Sequence, residues 1–447
     1  MGDVHIDAAV LTFSLAASLL TAVLCGLAPA WHSARLDLNE ALKSSGKGSG
    51  GRLRHGLRGT LVMTELALAF VLVMGAGLMA KSYLRLMHVD LGYDPRNIFT
   101  LSSNVWGGRY PTDPAILNYY QQALERLLAL PGVEAAAWTS VMPLDSSDLR
   151  RFHIEGRPAA PEAEAPLVDY SSVSADYFHV LKIPLKRGRL FTTHDTFAAP
   201  KVALLSESCA RALFPGEDPI GKHVQFGDRD PKKPWATVVG VVGDVRQYGL
   251  DRAPGMEVYV AQEQEILIEY YRLVARTTVP PLRLERAVRE AFRAVDPMLP
   301  VYHVKSLEDY LAGTLATRTV TLALLGLFGA LALMLAAVGI YGVISYTVEL
   351  RTREVGIRMA LGAERRDVLA LGLRQGLLLV TAGLSIGLVA SLFLTRLLTS
   401  LLFEVRLMDW GTSAAALTVL ASMALAASYF PARRAASVDP MAALREE

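Results

Sequence analysis

Five long apolar runs punctuate the chain, and the hydrophobic period changes between them. Residues 8–31, 59–80, 319–348, 375–395 and 411–430 are almost free of charge. Each is long enough to cross a bilayer, for which about 20 helical residues suffice. The first is not a signal peptide, because Asp3 and Asp7 stand where a basic region is needed and the run exceeds a signal core. Residues 81–318 follow a different pattern. Alternating apolar positions predict strands over 97–104, 133–140, 168–173, 202–206, 236–245, 270–276 and 301–304. Helical spacing predicts helices over 113–130, closed by Pro131-Gly132, and over 282–295, closed by Asp296-Pro297. Two strand–helix–strand passages therefore bracket a β-rich middle. The expected fold is an α-helical membrane protein of about five transmembrane helices carrying a large mixed α/β domain of two interleaved subdomains.

Charge orients the spans. Arg35, Lys43, Lys47, Arg52, Arg54 and Arg58 lie between the first and second runs. Arg351, Arg353, Arg358, Arg365, Arg366 and Arg374 lie between the third and fourth, and Arg433, Arg434 and Arg445 follow the fifth. Alternating helices put all three clusters on one face, which the positive-inside rule makes cytoplasmic. Residues 81–318 and the short loop 396–410 are then outside. Tyr83, Trp410 and Tyr429 fall at run ends, as interfacial aromatics do. A formal charge of +2 offers no global field for nucleic acid. Two cysteines cannot form a disulfide framework.

The third run passes directly into E-L-R-T-R-E-V-G-I-R-M-A-L-G-A, residues 349–363, a compact block of alternating charge. Val355 and Met359 are one turn apart, as are Ile357 and Leu361, with Arg351, Glu354 and Arg358 placed for ion pairs at a rim. Gly362 suits the left-handed turn that ends a helix. A cytoplasmic protein partner fits this pattern; so does an interfacial helix whose arginines meet anionic lipid. An internal repeat adds context. P-A-W-H-S-A-R-L-D-L-N-E-A-L-K after the first run matches P-A-R-R-A-A-S-V-D-P-M-A-A-L-R after the last. The first run thus reads as the final helix of an earlier, truncated unit, with a complete second unit following.

These motifs carry a resemblance. The run into 341–363 (Y-G-V-I-S-Y-T-V-E-L-R-T-R-E-V-G-I-R-M-A-L-G-A) resembles the permease signature of the MacB/FtsX family of ABC transporters. F-P-G-E-D-P-I-G-K at 214–222, L-K-I-P-L-K-R-G-R-L-F at 181–191 and V-V-G-V-V-G-D-V-R at 238–246 resemble that family's periplasmic core domain. The resemblance covers nearly the whole chain and implies a bacterial inner-membrane, multi-pass permease with its large domain in the periplasm. On it the chain divides into a last helix of a first unit (1–31), a cytoplasmic basic linker (32–58), a span (59–80), a periplasmic core (81–318), a span (319–348), a cytoplasmic coupling segment (349–374), a span (375–395), a periplasmic loop (396–410), a span (411–430) and a cytoplasmic tail (431–447). It makes Arg351, Arg353, Glu354, Gly356, Ile357, Arg358, Met359 and Gly362 the ATPase-coupling residues. The implied partners are a separate ABC ATPase subunit, a second permease unit as homodimer or partner half, and a membrane-fusion adaptor, alongside the lipid bilayer and no nucleic acid. The implied task is ATP-driven export, with activation of a periplasmic cell-wall hydrolase or lipoprotein extraction as the alternatives.

No catalytic constellation is legible. Residues 216–222 fit G-x-x-x-x-G-K, but His223 stands where Ser or Thr must bind Mg²⁺ and Pro219 where a helix should begin, so the segment reads as a turn. The nine histidines show no H-E-x-x-H spacing, and no G-x-S-x-G elbow occurs. No cofactor is expected on this chain; ATP would be bound by the partner subunit. Two further features stand out. Glu65 is an intramembrane carboxylate, a functional candidate unless it reaches the headgroups. Gly383, Gly387 and Ser391 form small-x-x-x-small steps that permit close helix packing.

Overall fold

The computed structural model describes residues 8–34, 49–105, 109–144, 147–157, 165–266, 270–350, 365–397 and 409–436. In chain order the elements are α1 (Ala8–Ala34), α2 (Ser49–Met87), β1 (Ile98–Asn104), α3 (Asp113–Leu128), β2 (Val133–Thr139), β3 (Leu149–Ile154), β4 (Leu167–Val173), α4 (Tyr177–Leu181), β5 (Leu185–Gly188), β6 (Val202–Ser206), α5 (Glu207–Leu213), β7 (His223–Phe226), β8 (Ala236–Val242), β9 (Glu257–Ala261), β10 (Tyr270–Thr277), α6 (Glu285–Arg293), β11 (Val301–Ser306), α7 (Leu307–Leu350), α8 (Arg365–Leu397) and α9 (Trp410–Ala436). Two compact units result. One comprises Met1–Met74, Phe328–Leu394 and Ser413–Glu447, the other Gly75–Leu327 and Thr395–Thr412.

The second unit is mixed α/β, as its periodicities predict. β11, β1, β10 and β2 form an antiparallel sheet in that order, with Thr100 opposite Val274 and Val274 opposite Ala137. The chain path β1–α3–β2 and β10–α6–β11 is a split βαβ pair. Proline in its first turn sets the start of α3, and Ile116, Tyr119, Tyr120, Ala123 and Leu127 make its buried stripe. That stripe meets Trp138, Tyr271 and Phe292 in an aromatic core. Tyr120 packs edge-on against Trp138 and Tyr271 at 4.7 and 5.1 Å, and the Trp138 indole donates to the Tyr120 carbonyl at 3.0 Å.

Between β2 and β10 the chain builds a second body. β4 pairs β3, β3 pairs β7, β7 pairs β8, β8 pairs β6, β6 pairs β9, and β9 returns to β4. These six strands form a closed barrel, so the ring itself leaves no unpaired edge. Side chains alternate as closure requires. Ala203, Leu205, Val258 and Val260 point inside with Phe152, Val168 and Val224. Val202, Leu204, Tyr259 and Ala261 point outward into a separate core. That outer core contains α4 and the back of the four-stranded sheet, through Ala135, Ala137 and Val274. One strand pair, Thr139 with Val173, joins barrel and sheet. Serines finish the seam: Ser174 Oγ accepts from the Trp138 amide and Ser140 Oγ from the Ser172 amide, both at 2.9 Å.

Four helices among the described residues are long and apolar enough to cross a membrane: Gly59–Met87, Leu307–Thr347, Gly376–Phe393 and Trp410–Pro431. They correspond to the second through fifth apolar runs. The first run is helical within α1, but its described apolar stretch is Ala8–Leu20, shorter than a crossing needs. A count of four rather than five is therefore what the described helices support. Predicted strand 236–245 ends at Val242. Gly243 instead donates to the Pro184 carbonyl at 2.8 Å, and Asp244 leaves the ladder to accept from the Ser208 amide at 2.7 Å.

Candidate functional site

The predicted coupling residues Arg351, Arg353, Glu354, Gly356, Ile357, Arg358, Met359 and Gly362 lie outside the described residues. What leads to them is described. Ser306, the last residue of β11, caps α7 directly: its hydroxyl accepts from the Asp309 amide at 3.0 Å and donates to the Asp309 carboxylate at 2.6 Å. No linker separates sheet from helix. α7 then runs unbroken for 44 residues, about 66 Å at the helical rise. Near its far end the Tyr341 hydroxyl accepts from Arg434 of α9 at 3.0 Å.

Within the first unit α2 and α8 approach closely. A Cβ on Gly383 would stand 2.8 Å from Leu66 Cβ, and one on Gly387 would stand 2.8 Å from Phe70 Cβ and 3.0 Å from the Ala67 carbonyl oxygen. Ser391, one step further, is buried and donates to the Leu388 carbonyl. Glu65 occupies another crossing. Its Oε2, buried and without a hydrogen-bond partner, lies 2.5 Å from where a Cβ on Gly339 of α7 would stand.

The second unit holds joints that sequence reasoning missed. Lys81 pairs with Asp409 at 2.7 Å, and Asp409 also accepts the Thr412 amide at 3.3 Å, capping α9. The hydrogen bonds from Lys81 and then Thr412 hold the Asp409 carboxyl below its ordinary range. The loop 243–256 is tied to the chain just beyond α2 and to α7 about three turns from its start. Arg246 Nε donates to the Asp90 carbonyl at 3.1 Å, just beyond α2, and Arg318 of α7 pairs with Asp251 at 2.7 Å. Gly92 makes this approach feasible: at φ +79° its missing Cβ would stand 1.8 Å from the Asp244 carbonyl oxygen. Arg276, buried beneath, donates to the carbonyls of Val180, Arg96 and Asp94 at 2.8, 3.1 and 3.0 Å. Burial would raise the Asp94 carboxyl, but hydrogen bonds from Arg96 and Lys182 and the Arg276 charge hold it far below the usual carboxylate range. One signal was available in sequence: V-V-G-D-V-R places an acid and an arginine just after a strand.

The segment 214–222 is a turn. Phe214 is buried, Gly216 and Gly221 take positive φ, and the Gly221 amide donates to the Val238 carbonyl at 2.8 Å. Asp218 pairs with Arg187 of β5 at 2.6 Å. The Glu217, Ile220, Gly221 and Lys222 amides all donate within the protein, so they are not presented to a phosphate. Beneath loop 243–256, Asp169 of β4 and Glu257 of β9 stand opposite each other in register, both buried. Tyr248 donates to Asp169 at 2.6 Å and Ser171 to Glu257 at 3.1 Å, leaving Glu257 Oε2 unpartnered. Burial pushes the Glu257 carboxyl up to about 8 and raises Asp169 also. Among the described residues no cluster of His, Cys, Asp and Glu has the makings of a metal site.

Fold and joints describe an outer mixed α/β body whose first and last strands lead into membrane-spanning helices, the plan of a membrane permease with a large extracytoplasmic domain. Two family models cover it: the MacB-like periplasmic core domain over residues 67–290 and the FtsX-like permease C-terminal region over 326–440. The chain belongs to the MacB/FtsX type of ABC transporter permease. It is 31% identical over 284 residues to a macrolide export ATP-binding/permease protein MacB of Nitrosomonas europaea, covering 58% of this chain and 40% of that protein. It is 25% identical over 346 residues to the uncharacterized ABC transporter permease YknZ of Bacillus subtilis, covering 74% of this chain and 84% of that one. The chain spans about two-fifths of the length of the MacB-named relatives it matches. The periplasmic region of MacB from Actinobacillus actinomycetemcomitans aligns over 49% of this chain and 92% of its own, at 17% identity and TM-score 0.34.

Proposed function

We propose that this chain is the membrane-embedded half of an ATP-driven exporter in the cytoplasmic membrane of a bacterium, with ATP bound and hydrolysed by a separate subunit. The observation that supports this reading is α7. It starts without a linker at the last strand of the outer sheet and ends where the charged segment 351–362 begins. ATP closes the partner subunits. Arg351, Arg353, Glu354 and Arg358 take up that movement through ion pairs, with Ile357 and Met359 seated in an apolar cleft and Gly356 and Gly362 shaping the turn. The displacement passes along α7, with the Gly383, Gly387 and Ser391 face of α8 as the packed contact against α2 and Glu65 as a polar contact to α7. A second copy completes the permease, and a membrane-fusion adaptor receives the exported substrate. Force transmission suits these spans, which lack the broken, charged midplane expected of a pathway for polar solutes.

The test is capture from detergent-solubilised membranes. The wild-type chain should retain an ABC ATPase, and Glu354→Ala and Arg358→Ala should lose it while inserting normally. Absence of any ATPase from the wild-type capture, or undiminished capture by both variants, sinks the proposal.

A further inference from the structure

The six-stranded barrel has two unlike ends. At one, α5 follows β6 and fills the interior with Cys209 and Phe214. That thiol is unpaired, buried and pushed up to about 12 by burial, so it packs and does not react. The other end opens into a cavity of about 240 Å³. Its floor is apolar: Val224, Phe226, Ala236 and Val260. Its rim carries three cations, Arg150, Lys201 and Lys233, against one carboxylate, Glu265. Mouths of β-barrels are preferred ligand sites, because closure leaves a concave apolar surface ringed by strand ends.

Two of the three cations are held by their own contacts, and the third stands on a pinned loop. The Arg150 guanidinium lies 4.3 Å over the Tyr170 ring and pairs with Asp148 at 3.0 Å. The Lys201 ammonium donates to the Gln264 carbonyl and sits 5.0 Å over the Phe197 ring. Among the described residues no carboxylate lies within ion-pair reach of it or of Lys233. Burial pushes the Lys201 ammonium below the usual lysine range, partly offset by Glu265. The loop bearing Lys233 is pinned by Gln225, which is 3% exposed. Its amide donates to the carbonyls of Asp230 and Lys233 at 2.8 and 3.1 Å and accepts from the Asp230 amide at 3.1 Å. Glu265 is engaged by the Tyr170 hydroxyl at 3.3 Å. A half-buried ammonium with no carboxylate in ion-pair contact, beside an apolar floor, is an arrangement that a bound anion completes.

We propose that the open end of the barrel binds a small organic anion with an apolar body, an aryl carboxylate or its like. Its charge meets Lys201 and Lys233 while its apolar part covers Val224, Phe226 and Val260. Binding there needs neither nucleotide nor partner chain, so it stands or falls separately from ATPase coupling.

The experiment is equilibrium dialysis of the full chain in lipid nanodiscs against 2-naphthoate, with empty nanodiscs as blank. Wild type should bind saturably with one site. Lys201→Gln should weaken binding at least tenfold, Lys233→Gln should weaken it several-fold, and neutral 2-naphthamide should not saturate. Lys186→Gln, on β5 outside the cavity, should leave binding unchanged. Lys233 is exposed on its loop, so its removal leaves the fold intact. No saturable binding by wild type, or equal affinity of the amide or of both lysine variants, overturns the proposal.

Discussion

Glu257 shows how far a single side chain can depart from its type. A carboxylate at the start of E-V-Y-V-A reads in sequence as the polar edge of a turn, and β9 is invisible for that reason. In the fold it is buried, faces Asp169 across a parallel pair, lies near Asp244, Tyr248, Tyr259 and Tyr177, and keeps one oxygen unpartnered. Its carboxyl is raised to about 8 by burial, against about 4.3 unfolded. Between those values the folded state holds a proton that the unfolded state has released, so stability falls as pH rises through this window. Protonated Glu257 is therefore the stabilising form, complete below the unfolded value and lost above about 8. Asp94 works oppositely. Its depressed carboxyl contributes stability above the unfolded value and loses it in strong acid. Glu257→Gln should flatten the decline of thermal stability between pH 5 and 9 by several degrees at the alkaline end, read by differential scanning fluorimetry. An unchanged slope would refute the assignment.

Elements were legible where periodicity was strong and long. The strands at 98–104, 133–139, 167–173, 202–206 and 270–277, and both helices of the four-stranded sheet, stand within a few residues of their predicted places. β3, β5, β7 and β9 were not. L-R-R-F-H-I carries three cationic or titratable side chains on a barrel wall, L-K-R-G and H-V-Q-F are four residues each, and E-V-Y-V-A starts on a buried acid. Barrel closure is equally absent from the pattern, since it depends on which strands pair and not on what each contains. The helix-packing step at Gly383 and Gly387 belongs to this scale because backbone approach, not side-chain chemistry, defines it. A methyl at 387 must displace Phe70 and the α2 backbone, whereas one at Gly326 meets nothing within 4 Å. Gly387→Ala should cost about 1–3 kcal/mol as overpacking, lowering the detergent-solubilised melting temperature by a few degrees. Gly326→Ala should leave it unchanged, and equal melting of the two variants would remove the close-packing argument.

At the scale of the molecule, the two long helices α2 and α7 leave the outer body from adjacent strands. β1 and β11 pair with each other, Phe99 opposite Ser306, so the chain enters and exits at one edge. The barrel and the split βαβ sheet lie between these two strands, and Tyr93 before β1 and Leu307 after β11 complete the outer core. The first turn of α7 belongs to this body, because Leu307 is fully buried in the outer core and Tyr310 packs against it. Beyond that turn the polar contact to α7 is Arg318 with Asp251, an ion pair more than a quarter exposed on both sides. Pairs so placed contribute little, about 0–1 kcal/mol. The Arg246 bond to the Asp90 carbonyl and the buried Arg276 network are retained if the cut falls before residue 89. Residues 89–312, which keep Leu307, Tyr310 and the Ser306–Asp309 cap, should therefore fold alone, although most of the chain's charge-free surface is lost with the helices. Expressed without detergent, the fragment should be a soluble monomer with mixed α/β circular dichroism. It should unfold in one cooperative transition, with a midpoint that falls as pH rises from 5 to 9 because Glu257 travels with it. A fragment that aggregates without detergent, or melts without a cooperative transition, would mean that the spanning helices supply folding energy which the internal cores lack.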